Sequence, residues 1–418
     1  MFKKGSKYYM WVIVALCFLI EFVVLGFCSG SKKLFLGPIT QALGLERSLF
    51  GFNDTCRYVF TAGMALFFGP LMNRFSTKKL VLSGFFVLAL SMTCYAFSTN
   101  IIMFCVGGCL LGIGMGLTTS TIITAVIRSW CKGPHAGMLL GLVLGANGFG
   151  NAASTLVLTP IISSSEFGYR KAYLLIVPML AVIGILTAFF LTDPPEGATS
   201  TPQKKKSRGQ SWVGLEYSVL RSKPFFYATL VAVFLTGMML QGSGSVDKAH
   251  LIDVGLNEAF VTGIMSMSGI LLTASKFLCG ISYDRFGLRV TVLFCDVLSV
   301  LSMLFLALAV PSSLGQAFAF LHYLVTPFAL PLETVMLSLI ANDLFGDASF
   351  NKVLGIVTAV NYAGYAVSSP LINLCYDIVG TYAPILYAFA VMMVVVAVIF
   401  QYAVTVSHKE RKALETAA

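Results

Sequence analysis

Apolar residues in this chain run in long stretches of about 20 or more, instead of alternating or recurring every third or fourth position. The runs fall at 10–36, 48–72, 79–98, 101–127, 136–162, 171–191, 224–249, 259–282, 290–310, 313–341, 352–375 and 380–405. Each is long enough to cross a hydrocarbon layer of about 30 Å as a helix. The pattern therefore predicts an all-α membrane protein with twelve transmembrane helices. The first run is too long for a cleaved signal peptide, and no A-x-A site follows it. One polar break, 192–222, opens with Asp193-Pro194-Pro195-Glu196 and continues into a lysine run. It reads as a cytoplasmic linker between two six-helix bundles, 1–191 and 223–418.

The two halves repeat one another. Gly69, Asn73, Arg74, Phe75 and Lys78 are matched 211 positions later by Gly280, Asp284, Arg285, Phe286 and Arg289. Leu140-Gly141, Asn147 and Gly150 are matched 214 positions later by Leu354-Gly355, Asn361 and Gly364. Two matches at nearly half the chain length imply an internal duplication in parallel orientation.

Composition agrees with a lipid solvent. The chain of 418 residues is 57% hydrophobic and only 11% charged, and its mean hydropathy is +0.86. A soluble domain carries about 25% charged residues. The net charge of +10 would suit a nucleic-acid binder, but the cations cluster between apolar runs. Lys3, Lys4 and Lys7, then Arg74, Lys78 and Lys79, Arg128 and Lys132, Lys204–Lys206 with Arg208, and Lys409, Arg411 and Lys412 all fall on one side of twelve crossings. That asymmetry sets both termini in the cytoplasm and leaves no nucleic-acid partner to explain. Arg47, Arg170 and Lys171 lie on the opposite side. The ten cysteines form no CxxC pair and read as small apolar helix residues, so neither a metal nor a cofactor is expected. Glycines in 107–116 and at 137, 141 and 145 match no phosphate-loop spacing; they read as small-xxx-small packing faces. No catalytic constellation is present.

Gly280-Ile-Ser-Tyr-Asp284-Arg285-Phe286-Gly287-Leu-Arg289 resembles the loop signature of the major facilitator superfamily, G-x-x-x-D-R-x-G-x-R. The first copy keeps Gly69 and Arg74 but has Asn73 and Ser76 in place of aspartate and glycine. The resemblance implies two pseudo-symmetric bundles whose cytoplasmic charges latch the halves. Further resemblances point to monocarboxylate transporters and the bacterial oxalate/formate antiporter group. Gly26-Phe27 followed by Lys33 is similar to a first-span motif of the former, and Gly168-Tyr-Arg170-Lys-Ala-Tyr173 to their motif before span six. Asp343-Leu-Phe345-Gly346, Gly355, Pro370, Asp377 and Gly380 resemble the closing segment shared by both groups. Lys276 stands where both keep a carboxylate-binding arginine. Leu272 replaces the aspartate partner of the monocarboxylate group, and Asn361 lies near a second cation of the oxalate exchangers.

The candidate site follows from charge inside apolar runs. Lys276 lies eight residues, about 12 Å of helix, before the loop aspartate. A lysine at mid-helix costs about 2.5–3.5 kcal/mol to insert, so it needs a cavity, a counter-ion or an anionic ligand. Lys33 is a second candidate, with snorkelling to the outer interface as its alternative. Arg57 and Asp54, three residues apart, can face each other as a structural pair or serve substrate. Lys248 and His250 fit the outer rim. Asn147 and Asn361 either line the cavity or bind helices together. Glu333, Asp54 and Glu21 are candidate carriers of a coupling proton, because burial penalises the charged form of a carboxyl.

These residues imply a secondary active transporter of a small organic anion, foremost a monocarboxylate. Transport proceeds by alternating access, proton-coupled or by exchange, with a single chain as the functional unit in the plasma or inner membrane. Alternatives are an oxalate/formate-type dicarboxylate exchanger, an efflux carrier for amphipathic compounds, and a transporter-like sensor that binds ligand without moving it.

Overall fold

A computed structural model of the chain describes residues 7–130, 136–192, 214, 216–346 and 348–417, and every regular element among them is helical. The cations Lys3, Lys4 and Lys132 and most of the linker 192–222 lie outside the described residues.

The first crossing is composite. Helix α1 (Lys7–Glu21) passes into a π-helical segment (Phe22–Ser29), then a 3-10 turn (Gly30–Leu34) and the short α2 (Leu36–Leu43). Next come α3 (Arg47–Arg74), α4 (Thr77–Phe97), α5 (Ile101–Thr118), α6 (Ser120–Trp130), α7 (Ala136–Ile162) and α8 (Gly168–Phe190). The later part holds α9 (Tyr217–Leu220), α10 (Pro224–Asp253), α11 (Glu258–Ala307), α12 (Ser313–Ala329), a 3-10 turn (Leu330–Glu333), α13 (Val335–Phe345), α14 (Phe350–Val379) and α15 (Ala383–Ala417).

Local chemistry sets these limits. Asn100 caps α5 by accepting from the Met103 N–H at 3.0 Å, and Ser312 caps α12 through Gly315 at 3.1 Å. Pro224 opens α10, where its missing N–H costs nothing. Gly44 and Gly380 close α2 and α14 in the left-handed conformation. At 50 residues, about 75 Å of helix, α11 is far longer than one crossing needs. Gly287, at φ +77°, divides it into spans eight and nine. That backbone is strained for any residue with a Cβ, which accounts for glycine at this place in the loop signature. Joining α5 to α6 and α12 to α13, the described helices make the twelve crossings of the predicted fold class.

The chain divides into two compact units, Met1–Gln203 with Glu258–Thr273, and Lys204–Asn257 with Ala274–Ala418. Within the first unit, α5 packs on α3 and α4, α4 on α8, and α7 on the π segment. Gly26 and Gly150 bring the π segment and α7 so close that a Cβ on either would overlap the other's backbone. This is the small-residue packing expected where lipid supplies no hydrophobic drive between helices. Thr273 donates to the Gly145 carbonyl at 2.7 Å within the same unit. In the second unit α10 is the centre, flanked by α14 and α15. Arg289 Nε donates to Gln401 Oε1, and Gln401 Nε2 to the Arg289 carbonyl, both at 3.1 Å.

Candidate functional site

In the first unit the π segment and the 3-10 turn aim Lys32 at α3. Lys32 is only 8% exposed; its Nζ lies 2.5 Å from Asp54 Oδ1 and 2.6 Å from Asn53 Oδ1. The Tyr95 hydroxyl donates to the same Asn53 oxygen at 2.8 Å, and the ammonium stands 5.4 Å from the Tyr95 ring centre. Tyr95 stacks on Tyr173, which stacks on Phe35, closing an aromatic wall around the pair. Arg57, also buried, places Nη1 3.8 Å from Asp54 and Nη2 against the Ser29 hydroxyl. Two buried cations thus share the carboxylate of Asp54. Buried charges persist only where they are paired or held by several hydrogen bonds.

The resemblance to the first-span motif singled out Lys33, whose side chain is half-buried, whereas Lys32 enters the cluster. A π segment followed by a 3-10 turn does not keep the angular step of an α-helix, so faces counted at that step drift beyond Phe22. The predicted facing of Asp54 and Arg57 is realised. Glu21 is fully buried at the last position of α1, directly before the π segment. Asn147 is half-buried on α7.

In the second unit Glu333 is buried in the 3-10 turn between α12 and α13, with hydrogen bonds to the Tyr365 side chain and the Gln241 backbone. Pro327 and Pro331 interrupt the helix there. The fourth crossing of the first unit breaks in the matching place, at the extended Thr119 between α5 and α6. Discontinuous helices at corresponding positions of two repeats are a mark of binding sites in carriers. Lys276 is half-buried on α11. Asn361 is buried and directs Nδ2 to the Val233 carbonyl at 3.4 Å, joining α14 to α10.

Lys248 and His250 lie in the last turns of α10 and are buried, 5% and 2% exposed, and His250 Nε2 meets the Leu306 carbonyl at 3.1 Å. A helix of 30 residues carries α10 beyond the run counted from hydropathy, with these side chains still inside. Of the signature residues, Asp284, Arg285, Gly287 and Arg289 are exposed and Gly280 is half-buried. Arg74 is exposed at the end of α3; Gly69 and Asn73 fall within that helix, and their side chains lie outside the described residues.

Asn53, Tyr95 and Asp296 were not foreseen. Asp296 on α11 has no exposure, and neither carboxyl oxygen finds a hydrogen bond among the described residues. A lone polar letter inside an apolar run was the only available signal for each.

Duplicated six-helix halves, with ionisable side chains buried inside membrane crossings, define a polytopic transmembrane transporter. The profile described as Major Facilitator Superfamily matches residues 18–328 and 248–418, and the chain belongs to that superfamily. It is 24% identical over 392 residues to an MFS-type transporter of Bacillus subtilis, YcxA, covering 91% of each chain. It is 21% identical over 235 residues to the sialic acid transporter NanX of Escherichia coli, covering 53% of each. The solved structure of a nucleoside transporter, NupG, superposes with a TM-score of 0.76 at 16% identity, covering 94% of this chain and 98% of that one.

Proposed function

We propose that this transporter carries a small organic anion, foremost a monocarboxylate, across the plasma or inner membrane by alternating access. The observation that supports the reading most is the gathering of two buried cations in the first unit, where Lys32 and Arg57 both face Asp54. A substrate carboxylate would add a second anion to the two cations gathered there. Lys276 is the proposed contact of the second unit; its ammonium acts as a point charge where an arginine would offer a planar fork. The proposed coupling acids are Asp54, which already touches Lys32, with Glu333 and Glu21 inside their own crossings. The resemblance to the sialic acid transporter is consistent with a carboxylate, since sialic acid bears one.

Thermal melting of the purified protein, titrated with small monocarboxylates and their matched amides, tests the reading. The acids should raise the melting temperature and the amides should not. Replacing Lys276 by glutamine removes the charge and keeps a hydrogen-bond donor. Loss of the attraction costs about 2–4 kcal/mol, so half-saturation should need about 30- to 1000-fold more acid. Equal stabilisation by acid and amide would refute an anion site.

A further inference from the structure

The end of the linker is built into the second unit. Gly214 takes φ +78°, and a Cβ there would overlap the Phe345 carbonyl, so only glycine lets the chain pass this close. The Tyr217 N–H donates to Ser349 Oγ at 2.9 Å, the Tyr217 ring meets Phe226 edge-on, and Leu220 is fully buried. These contacts border a shallow, open cavity between α9 and the start of α14.

Arg221 and Lys352 line it, with the hydroxyls of Ser218 and Ser349 and the carboxylate of Glu216. Lys352 Nζ is held 3.9 Å from the Tyr217 ring centre. Neither Arg221 nor Lys352 forms an ion pair with an acid among the described residues. Glu216 instead accepts from the Ser218 hydroxyl at 3.4 Å. Ser349 receives the Tyr217 N–H on its oxygen, so its own proton is left to donate. Among the described residues the lining therefore holds two cations, one carboxylate and a hydroxyl donor facing the same space. That chemistry suits an oxyanion such as phosphate.

Exposed apolar side chains lie on the neighbouring turns of α9 and α10. Val219 on α9, then Tyr227 and Val231 one turn apart on α10, are 42%, 54% and 51% exposed. Tyr227 anchors its hydroxyl on the Arg221 carbonyl at 2.8 Å, the amphipathic posture tyrosine takes at a membrane interface. A free phosphate compound has no use for this stripe, whereas acyl chains do. We infer that the cavity is a headgroup site for an anionic phospholipid. Its phosphate rests on Arg221 and Lys352, and its acyl chains lie along Val219, Tyr227 and Val231. The bound lipid holds the linker end against the start of α14. None of these residues belongs to the proposed transport site, so this assignment and the anion-transport reading fail or stand separately.

Melting of the full chain in mixed micelles tests the assignment, with phosphatidylglycerol, phosphatidylcholine and inorganic phosphate as the three probes. Phosphatidylglycerol should raise the melting temperature saturably, while phosphatidylcholine and inorganic phosphate at matched concentration should not. A basic side chain near an anionic lipid surface contributes about a fivefold factor in binding, so Arg221→Gln with Lys352→Gln should raise the half-saturating phosphatidylglycerol about thirtyfold. The melting temperature in phosphatidylcholine reports whether that double variant folds as the parent does. If it does not, Lys352→Gln alone, with an expected shift of about fivefold, decides the matter. An unchanged half-saturation in a folded variant would overturn the site. So would equal stabilisation by phosphatidylcholine, or by inorganic phosphate, which would make the cavity a site for a free phosphate compound.

Discussion

Lys32 and Lys33 are neighbours in the chain with different surroundings, and the difference carries the chemistry. Lys32 is enclosed by a carboxylate, an amide oxygen and an aromatic ring. Asp54 serves both Lys32 and Arg57, so its removal leaves two buried cations with reduced compensation. Breaking such a buried pair costs about 3–5 kcal/mol. Asp54→Asn should accordingly lower the melting temperature by several degrees, and Lys32→Gln added to it should recover part of the loss. Melting curves of the two variants check this; an Asp54→Asn protein as stable as the parent would show that Asp54 does not hold the cluster together. The sequence made a charged cluster near Arg57 and Asp54 legible, because i,i+3 spacing on a helix brings side chains together whatever surrounds them. It could not select Lys32, since that choice depends on a π segment no spacing rule anticipates. Asn53 and Tyr95 escaped for a related reason: an amide or a phenol within an apolar run looks the same whether it binds an ammonium or a backbone carbonyl.

At the scale of elements, the carrier combines long straight helices with a few deliberate interruptions. The run 313–341 reads as one crossing, although Pro331 marks the break ahead of Glu333, because proline removes a helix donor and clashes with the preceding turn. The break at Thr119 had no such marker: Thr118 and Thr119 hydroxyls bond the Gly114 and Met115 carbonyls at 2.8 Å, and threonine does this in unbroken helices as well. Glycines of 107–116 pack as expected, Gly108 and Gly112 against the Asn53 and Arg57 carbonyls of α3. On α7, by contrast, the closest approach is made by Gly150, outside the expected stripe, and Gly141 packs on nothing. A Cβ at Gly150 would overlap the Phe22 carbonyl, where both partners are backbone and cannot yield. Gly150→Ala should therefore destabilise the first unit by about 1–3 kcal/mol. Gly141→Ala on the same helix meets nothing within 4 Å and should be neutral or mildly stabilising. The two melting temperatures, measured side by side, would contradict this packing account if they moved together.

At the scale of the whole molecule, the duplication was readable from two offsets, 211 and 214, because a repeated spacing of charged and small residues survives where apolar letters interchange freely. The composition of the compact units was less so. Residues Glu258–Thr273 fall with the first unit although they follow the linker, since close packing of Gly269 against Gly148 outweighs their place in the chain. The central claim, that the buried cations receive a substrate carboxylate during transport, is tested most directly by counterflow. Proteoliposomes loaded with an unlabelled monocarboxylate that stabilises the protein should accumulate the labelled acid transiently from outside. Lys32→Gln should abolish that overshoot while remaining folded, because Arg57 still compensates Asp54. Binding without any exchange of label by the parent protein would contradict the account, and so would an undiminished overshoot in Lys32→Gln.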